Sequence, residues 1–317
     1  MNSLVAIVGP TGVGKSRLGL GMARTFAGEI VSADSRQVYR HMDIGTAKPS
    51  RQEQAQVRHH LIDIVEPDQD FSLAQYQTLA FGAIKDIQQR DKLPILVGGS
   101  GLYVRAVLEG WQLPEAKPDA GLRRRLEKQA ADAGYESLYQ ELVKVDPLVA
   151  QRIDPRNVRR VIRALEVHHQ TEKALSQLKD KKSLPYRTLI IGLTAERKEL
   201  YRRIDHRVDE MIGQGLVAEV EKLVNMGYDF NLPALSSIGY KQIAMFLKGE
   251  LGLEMAVQQI KYETHRFVRH QYAWFRRDDA RIHWFDVARV QVTEIEALVS
   301  RFLEDRLDSK EALLVDG

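Results

Sequence analysis

The sequence predicts an α/β protein, a parallel sheet core interrupted by a mainly helical insertion, and three observations carry that reading. Short apolar runs of strand type (Leu4–Val8, Glu29–Asp34, Leu93–Val97 and Thr188–Leu193) are separated by longer segments whose apolar residues recur at helical spacing. Strands that alternate with helices pair in parallel. From Lys117 to about Tyr186 there is helical periodicity without a convincing strand, bounded by Pro114, Pro118 and the loop Lys179 to Pro185. A glycine-rich turn also stands between the first apolar run and the first helical one.

Taken in order, Leu4–Val8 reads as a strand, followed by a loop and a helix over Lys15 to Phe26. Glu29–Asp34 is a second strand. Ser72 to Arg90 reads as a helix capped by Ser72, with Tyr76, Leu79, Ala83 and Ile87 on one face. Leu93–Val97 runs into the turn Gly98-Gly-Ser-Gly101. Beyond the insertion, Thr188–Leu193 restores a core strand. Helices are expected over Ala195 to Met226, Gly239 to Leu247 and Glu254 to Arg277, then a strand over Ile282 to Val287 and one amphipathic helix. With 317 residues there is room for a core and one sizeable insertion. The expected boundaries are 1–115 and 188–310 for the core, 116–187 for the insertion, and 311–317 for a frayed end.

Composition narrows the function. Apolar content of 44% and charged content of 28% fit a folded globular chain. The absence of cysteine excludes disulfides, thiol nucleophiles and Cys-containing zinc fingers. No run approaches a membrane span, and Met1 to Lys15 reads as strand and loop rather than a leader, so a cytoplasmic, monomeric protein is expected. A net charge of +3 is too mild to imply nucleic acid by itself.

Gly9, Pro10, Thr11, Gly12, Val13, Gly14, Lys15 and Ser16 match G-x-x-x-x-G-K-[ST] between a strand and a helix, which makes the core P-loop NTPase-like. Glycines let backbone N–H groups converge on an anion, the helix N-terminus adds its dipole, Lys15 neutralises a phosphate oxygen, and Ser16 can ligate Mg²⁺. The ligand should be a diphosphate or larger, either a nucleoside triphosphate or another pyrophosphorylated compound. The strand Ile95-Leu-Val97 ends in Gly98-Gly99 where a motor ATPase would carry its magnesium-positioning aspartate. Asp34 is the nearest strand-end carboxylate, facing the ligand crevice as a general base or capping a turn through Ser35 and Arg36. Ser100 follows another strand end, where it either orients a nucleophile or caps a helix.

Two basic surfaces point beyond a small-molecule site. In helical projection Arg156, Arg159, Arg160 and Arg163 fall within about 100° of one another, opposite Val158, Val161, Ile162 and Leu165, with no interleaved acid before Glu166. Such a stripe suits bidentate phosphate contacts, or is a solvated face. On Glu254 to Arg277, Tyr262, Arg266, Arg269 and Arg276 share a face near Val257, Ile260, Phe267 and Trp274, a mixture that fits stacked bases or core packing. Together the two surfaces favour a polyanion such as RNA. Arg207 is either a further cation at the phosphate site or an exposed helical ion pair. The adjacent His59 and His60 read as structural, because neighbouring side chains diverge.

Several strings resemble the bacterial tRNA dimethylallyltransferase (isopentenyltransferase) family over roughly residues 4 to 285. They are Gly9 to Ser16, Ser32-Ala-Asp-Ser-Arg-Gln-Val-Tyr39, Met42-Asp-Ile-Gly-Thr-Ala-Lys-Pro49, His59-His-Leu-Ile-Asp63, Gly98-Gly-Ser-Gly-Leu-Tyr103, Arg163-Ala-Leu-Glu166, Ile238-Gly-Tyr240 and Trp274-Phe-Arg276. The resemblance implies that the loop holds the diphosphate of dimethylallyl diphosphate with Mg²⁺ while N6 of a flipped-out adenosine beside the anticodon attacks the allylic carbon. It implies Asp34 as the base, Ser100 as an assistant at the reaction centre, and Arg207 as a cation for the leaving pyrophosphate. It carries tRNA contacts to Asp34, Ser35, Arg36, Gln37, Ser100, Arg123, Arg159, Arg160, Val161, Ile162, Arg163, Ile238, Gly239, Tyr240, Lys241 and Gln242. Ser100 stands where threonine is usual, which keeps the hydroxyl. The alternatives are a P-loop small-molecule kinase using ATP, and an RNA-binding GTPase-like switch.

Overall fold

A computed structural model describes residues 2–113, 119–171, 174, 176 and 183–305. Pro114 and Pro118, most of the loop from Lys179, and the 311–317 end lie outside the described residues. The chain divides into two compact units, one of Met1–Leu108 with Leu184–Gly317, the other Glu109–Ser183.

The first unit is built on six parallel strands: β1 (Ser3–Val8), β2 (Gly28–Ser32), β3 (His59–His60), β4 (Leu93–Val97), β5 (Arg187–Thr194) and β6 (Ile282–Asp286). Their order across the sheet is β3-β2-β4-β1-β5-β6, and every pairing is parallel. Helices cover both faces, so central strands are apolar throughout. Alternate residues of β1 divide between two cores: Leu4, Ala6 and Val8 on one face, Val5 and Ile7 on the other.

The helices of this unit are α1 (Lys15–Thr25), α2 (Arg51–Gln56), α3 (Leu73–Gln89) and α4 (Gly101–Leu108) before the insertion. The chain then builds α5 (Ala120–Ala133), α6 (Tyr135–Val145), α7 (Pro147–Ala150) and α8 (Val158–Thr171), the second unit. The first unit is completed by α9 (Arg197–Gly213), α10 (Leu216–Asn225), α11 (Tyr240–Leu247), α12 (Leu253–Trp274) and α13 (Val292–Leu303). The segment read as helical from Ala195 to Met226 is two helices, broken at Gly215, whose φ of +101° a side chain would resist. The short α2, α4 and edge strand β3 carry too few periodic residues to be read from sequence.

Ser72 caps α3 and forms a reciprocal pair with Gln75. The expected buried face of that helix needs correction: Tyr76, Ala80, Ile84 and Ile87 are buried, while Leu79 is 45% exposed. The stripe starts at Tyr76 and advances mainly by four, since Tyr76 stacks on Tyr103 of α4 and donates to the carbonyl of Ser32.

The helical unit has its own core of Leu122, Leu126, Leu138, Leu142, Val161 and Leu165. Asp119 caps α5 through the N–H groups of Gly121 and Leu122, and Asp146 caps the short α7 through Val149.

Candidate active site

In an open parallel sheet the crevice lies beyond the carboxyl ends of the strands, where connections depart in opposite directions. Three turns meet there: Gly9–Gly14 after β1, Ala33–Gln37 after β2, and Gly98–Ser100 after β4. Their approach is close. A Cβ on Gly98 would lie 2.2 Å from the carbonyl oxygen of Ala33, so the β4 turn can rest on the β2 turn only as glycine. Ser100 locks the same pair: its Oγ accepts from the N–H of Ser35 at 3.0 Å, and its own N–H donates to Ala33 at 3.2 Å.

Gly14 takes a left-handed conformation and starts α1, presenting Lys15 and Ser16 at the helix N-terminus. Lys15 Nζ donates to the carbonyl of Pro10 at 2.7 Å, which folds the ammonium back across its own loop. Enclosure pulls its pKa down to about 7; the Asp34 carboxylate works against that, and Arg207 adds to it. Burial also lowers the pKa of Arg207, on α9, and Asp34 opposes the shift. Lys15, Asp34 and Arg207, read separately from sequence, thus form one interacting group. Asp34 Oδ1 accepts from the N–H of Arg36 at 2.8 Å, so the turn-capping role is real, while its second oxygen has no protein partner among the described residues.

Two cavities meet at these charges. The larger, about 920 Å³, is lined by Gly12, Gly14, Lys15 and Ser16 of the loop and by Gln37. The smaller, about 350 Å³, is lined by Ser35, Arg36, Ser100, Ile238 and Gly239. Lys15, Asp34, Thr46, Gly99 and Arg207 belong to both walls. Phe267 of α12, 41% exposed, lines the smaller cavity instead of packing in the core, whereas Ile260 is buried.

The remaining expected tRNA contacts separate into surface and interior. Lys241 is exposed. Gln37 is buried, taking Ser32 Oγ on its carbonyl oxygen and donating to the carbonyls of Thr46 and Ala47. Tyr240 is fully buried with its hydroxyl on Glu219 at 2.5 Å, and Gln242 folds back to accept from the N–H of Gly239. These three side chains hold the walls rather than offer a surface. Val161 and Ile162, at 0% and 4% exposure, face the core of the helical unit.

The arginine stripe is also divided. Arg163 donates to the fully buried Glu166 at 2.5 Å, and Arg123 reaches the same carboxylate at 2.8 and 2.9 Å together with the N–H of Asp119. Burial pushes the Glu166 carboxyl up, but these donors prevail and hold it below its usual value. Arg156 lies ahead of α8 and pairs with Asp154. Arg159 and Arg160 remain exposed, with no ion pair among the described residues. On α12, Tyr262, Arg266 and Arg269 are exposed rather than packed in the core, while Arg276 lies past the helix end and pairs with Asp278. His59 bonds the carbonyl of Val57 and His60 bonds Glu29, both structural roles.

Two residues of this site carry no sequence signal. Glu219 of α10 accepts from the N–H groups of Asp43, Ile44 and Gly45, latching the loop that presents Thr46 to both cavities. Gln271 of α12 bonds both Thr11 and Gly99.

The parallel sheet with a glycine-rich turn after β1, and Lys15, Arg207 and Asp34 gathered where two cavities meet, mark a P-loop-like α/β fold. Comparison with known proteins gives the family. The family model described as IPP transferase matches residues 37–278, and the chain belongs to that family. The loop Gly9–Gly14 and Asp34 precede that segment. Similar curated proteins include the tRNA dimethylallyltransferases of Thermomicrobium roseum, 51% identical over 90% of this chain and 87% of that one, and of Dehalococcoides mccartyi, 48% identical over 95% and 93%. Among solved structures, a tRNA isopentenylpyrophosphate transferase from Bacillus halodurans is 41% identical with a TM-score of 0.72, covering 96% of this chain and 98% of that one. A eukaryotic dimethylallyltransferase acting on tRNA is 26% identical with a TM-score of 0.81, covering 98% and 82%. The chain is therefore a prenyltransferase, a class that generally uses a divalent metal. Among the described residues no helix is long and apolar enough to cross a membrane.

Proposed function

We propose that this enzyme transfers a dimethylallyl group from dimethylallyl diphosphate to N6 of an adenosine beside the anticodon of tRNA, releasing pyrophosphate. The observation that carries the reading is the meeting of two cavities at Lys15, Asp34 and Arg207. A displacement at carbon needs its acceptor and its leaving group on opposite sides of the reacting atom. The loop side suits the diphosphate. The smaller side, walled by Ser35, Arg36, Ser100 and Ile238, suits an extruded base.

As the allylic C–O bond lengthens, negative charge gathers on the diphosphate. The N–H groups of the loop, Lys15 and Arg207 would stabilise that charge. Asp34, with one oxygen committed to its own turn, offers the other to the N6 proton. Ser100 keeps the Asp34 turn in place through Ser35. The residues fit Mg²⁺. Among the described residues no cluster of three or more His, Asp or Glu forms a protein cage, and this hard ion takes few protein ligands beside substrate phosphates and water. Ser16 would hold it, and when bound it would neutralise diphosphate charge. The exposed Arg159, Arg160 and Lys241 supply cations for RNA phosphates, and the enzyme acts as a cytoplasmic monomer.

The test is incubation of the purified protein with an anticodon stem-loop, dimethylallyl diphosphate and Mg²⁺ and without nucleotide. Pyrophosphate should appear in step with prenylated RNA. Unmodified RNA together with ATP-dependent phosphorylation of a small metabolite would replace this reading with a kinase.

A further inference from the structure

Gln271 lies on α12 at 4% exposure, and its amide bridges two of the three crevice turns. Its Oε1 accepts from the N–H of Thr11 at 2.8 Å, and its Nε2 donates to the carbonyl of Gly99 at 3.1 Å. A Cβ on Gly99 would fall 2.4 Å from that nitrogen, so the amide is seated against bare backbone. The connection continues from Gly99 to Ser100, whose hydroxyl accepts from Ser35 beside Asp34. A continuous path of bonds thus runs from the anion loop through Gln271 to the turn bearing the carboxylate.

The helix is anchored on both sides of this residue. Tyr272 shares a hydrogen bond with Thr194 at the end of β5, and the carbonyl of Trp274 accepts from Arg105 of α4 at 2.7 Å. Trp274 also packs so closely that a Cβ on Gly101 would lie 2.1 Å from its ring. An amide is the side chain that fits one backbone donor and one backbone acceptor without charge. A carboxylate there would have no donor for Gly99 and would set a negative charge beside the anion loop.

We infer that Gln271 is a positioning residue that fixes the separation between the diphosphate loop and the Asp34–Ser100 turns. The inference rests on the reading that the loop holds the leaving group and Asp34 acts on the acceptor. A misplacement of about 1 Å between reacting groups costs on the order of 100-fold in rate. Loss of the bridge therefore acts on turnover more than on binding.

The experiment compares wild type, Gln271→Ala and Gln271→Glu for kcat and KM with stem-loop RNA and dimethylallyl diphosphate, with active-site titration to count folded enzyme. Gln271→Ala should lower kcat about 30- to 100-fold and shift either KM less than about threefold. Gln271→Glu should show a similar loss at pH 8, with kcat relative to wild type rising as pH falls to about 6, because burial raises the pKa of a carboxyl at this site and the protonated form can again donate to Gly99. A merely structural role would move the folded fraction and leave that pH ratio flat. Wild-type prenylation with Gln271→Ala within about twofold in kcat, or a flat ratio for Gln271→Glu, overturns the inference alone. An inactive wild type overturns it together with the reading beneath it.

Discussion

The crevice of the sheet unit and the arginine helix of the second unit put charge to opposite uses. In the crevice Lys15 and Arg207 sit enclosed beside one carboxylate, and both are held below their ordinary pKa by burial. On and just ahead of α8 a row of arginines that looks uniform in sequence is split by its neighbours. Arg163 serves the buried Glu166 with Arg123, Arg156 serves Asp154, and Arg159 and Arg160 remain in solvent. The contrast teaches that a contiguous anion loop carries its own geometry, whereas the worth of a spaced charge depends on where its counter-charge is delivered.

The contrast is broken most severely at Asp34. Asp34→Ala should reduce turnover by about 10²- to 10⁴-fold while a gel-shift assay still detects stem-loop RNA binding. A near-normal rate would remove the base from the crevice. Next comes the buried acid of the helical unit. Glu166→Gln removes the buried carboxylate that Arg123 and Arg163, each a little over a third exposed, share, and should destabilise that unit by about 2 kcal/mol after allowance for solvent screening. Chemical denaturation measures this, and an unchanged midpoint would mean that the carboxylate is not holding the arginines.

Lys15 sharpens the comparison through pH. Its ammonium is retained below about pH 7 in the free protein and lost above, so binding a diphosphate at higher pH requires proton uptake. Pyrophosphate affinity should fall by up to about tenfold per pH unit above 7, relative to a Lys15→Arg variant that stays charged throughout. Parallel pH curves for the two proteins by calorimetry would show an unperturbed lysine. The smallest effect is on α8. Joint replacement of Arg159 and Arg160 by alanine should flatten the log–log salt dependence of RNA binding by about 1.4 units, from roughly 0.7 per phosphate contact. Adding Arg156→Ala should change the slope little further, because its guanidinium is already engaged by Asp154.

Much of the sheet was legible because its strands are buried on both faces and read as unbroken apolar runs, as in Leu93–Val97. The two-residue strand His59–His60 was not, since its place at the sheet edge comes from pairing with Ile30 and Val31. The glycine-rich turn between β1 and α1 was legible from its spacing. The burial of Gln37 and Tyr240 was not legible, because Ser32, Thr46 and Glu219 converge on them from elsewhere in the chain.

By itself the sequence determined the class of core, the glycine-rich turn after β1 and the strand-end positions of Asp34 and Ser100. Each depends on neighbours a few positions away, through backbone conformation and strand periodicity. Only the tertiary structure decided that Arg207 joins Lys15 and Asp34 at the junction of two cavities and that Gln271 ties the loop to the Ser100 turn. Those are contacts across tens to hundreds of residues. Their strength is set by burial and by the partner brought alongside, and neither quantity is written in local spacing.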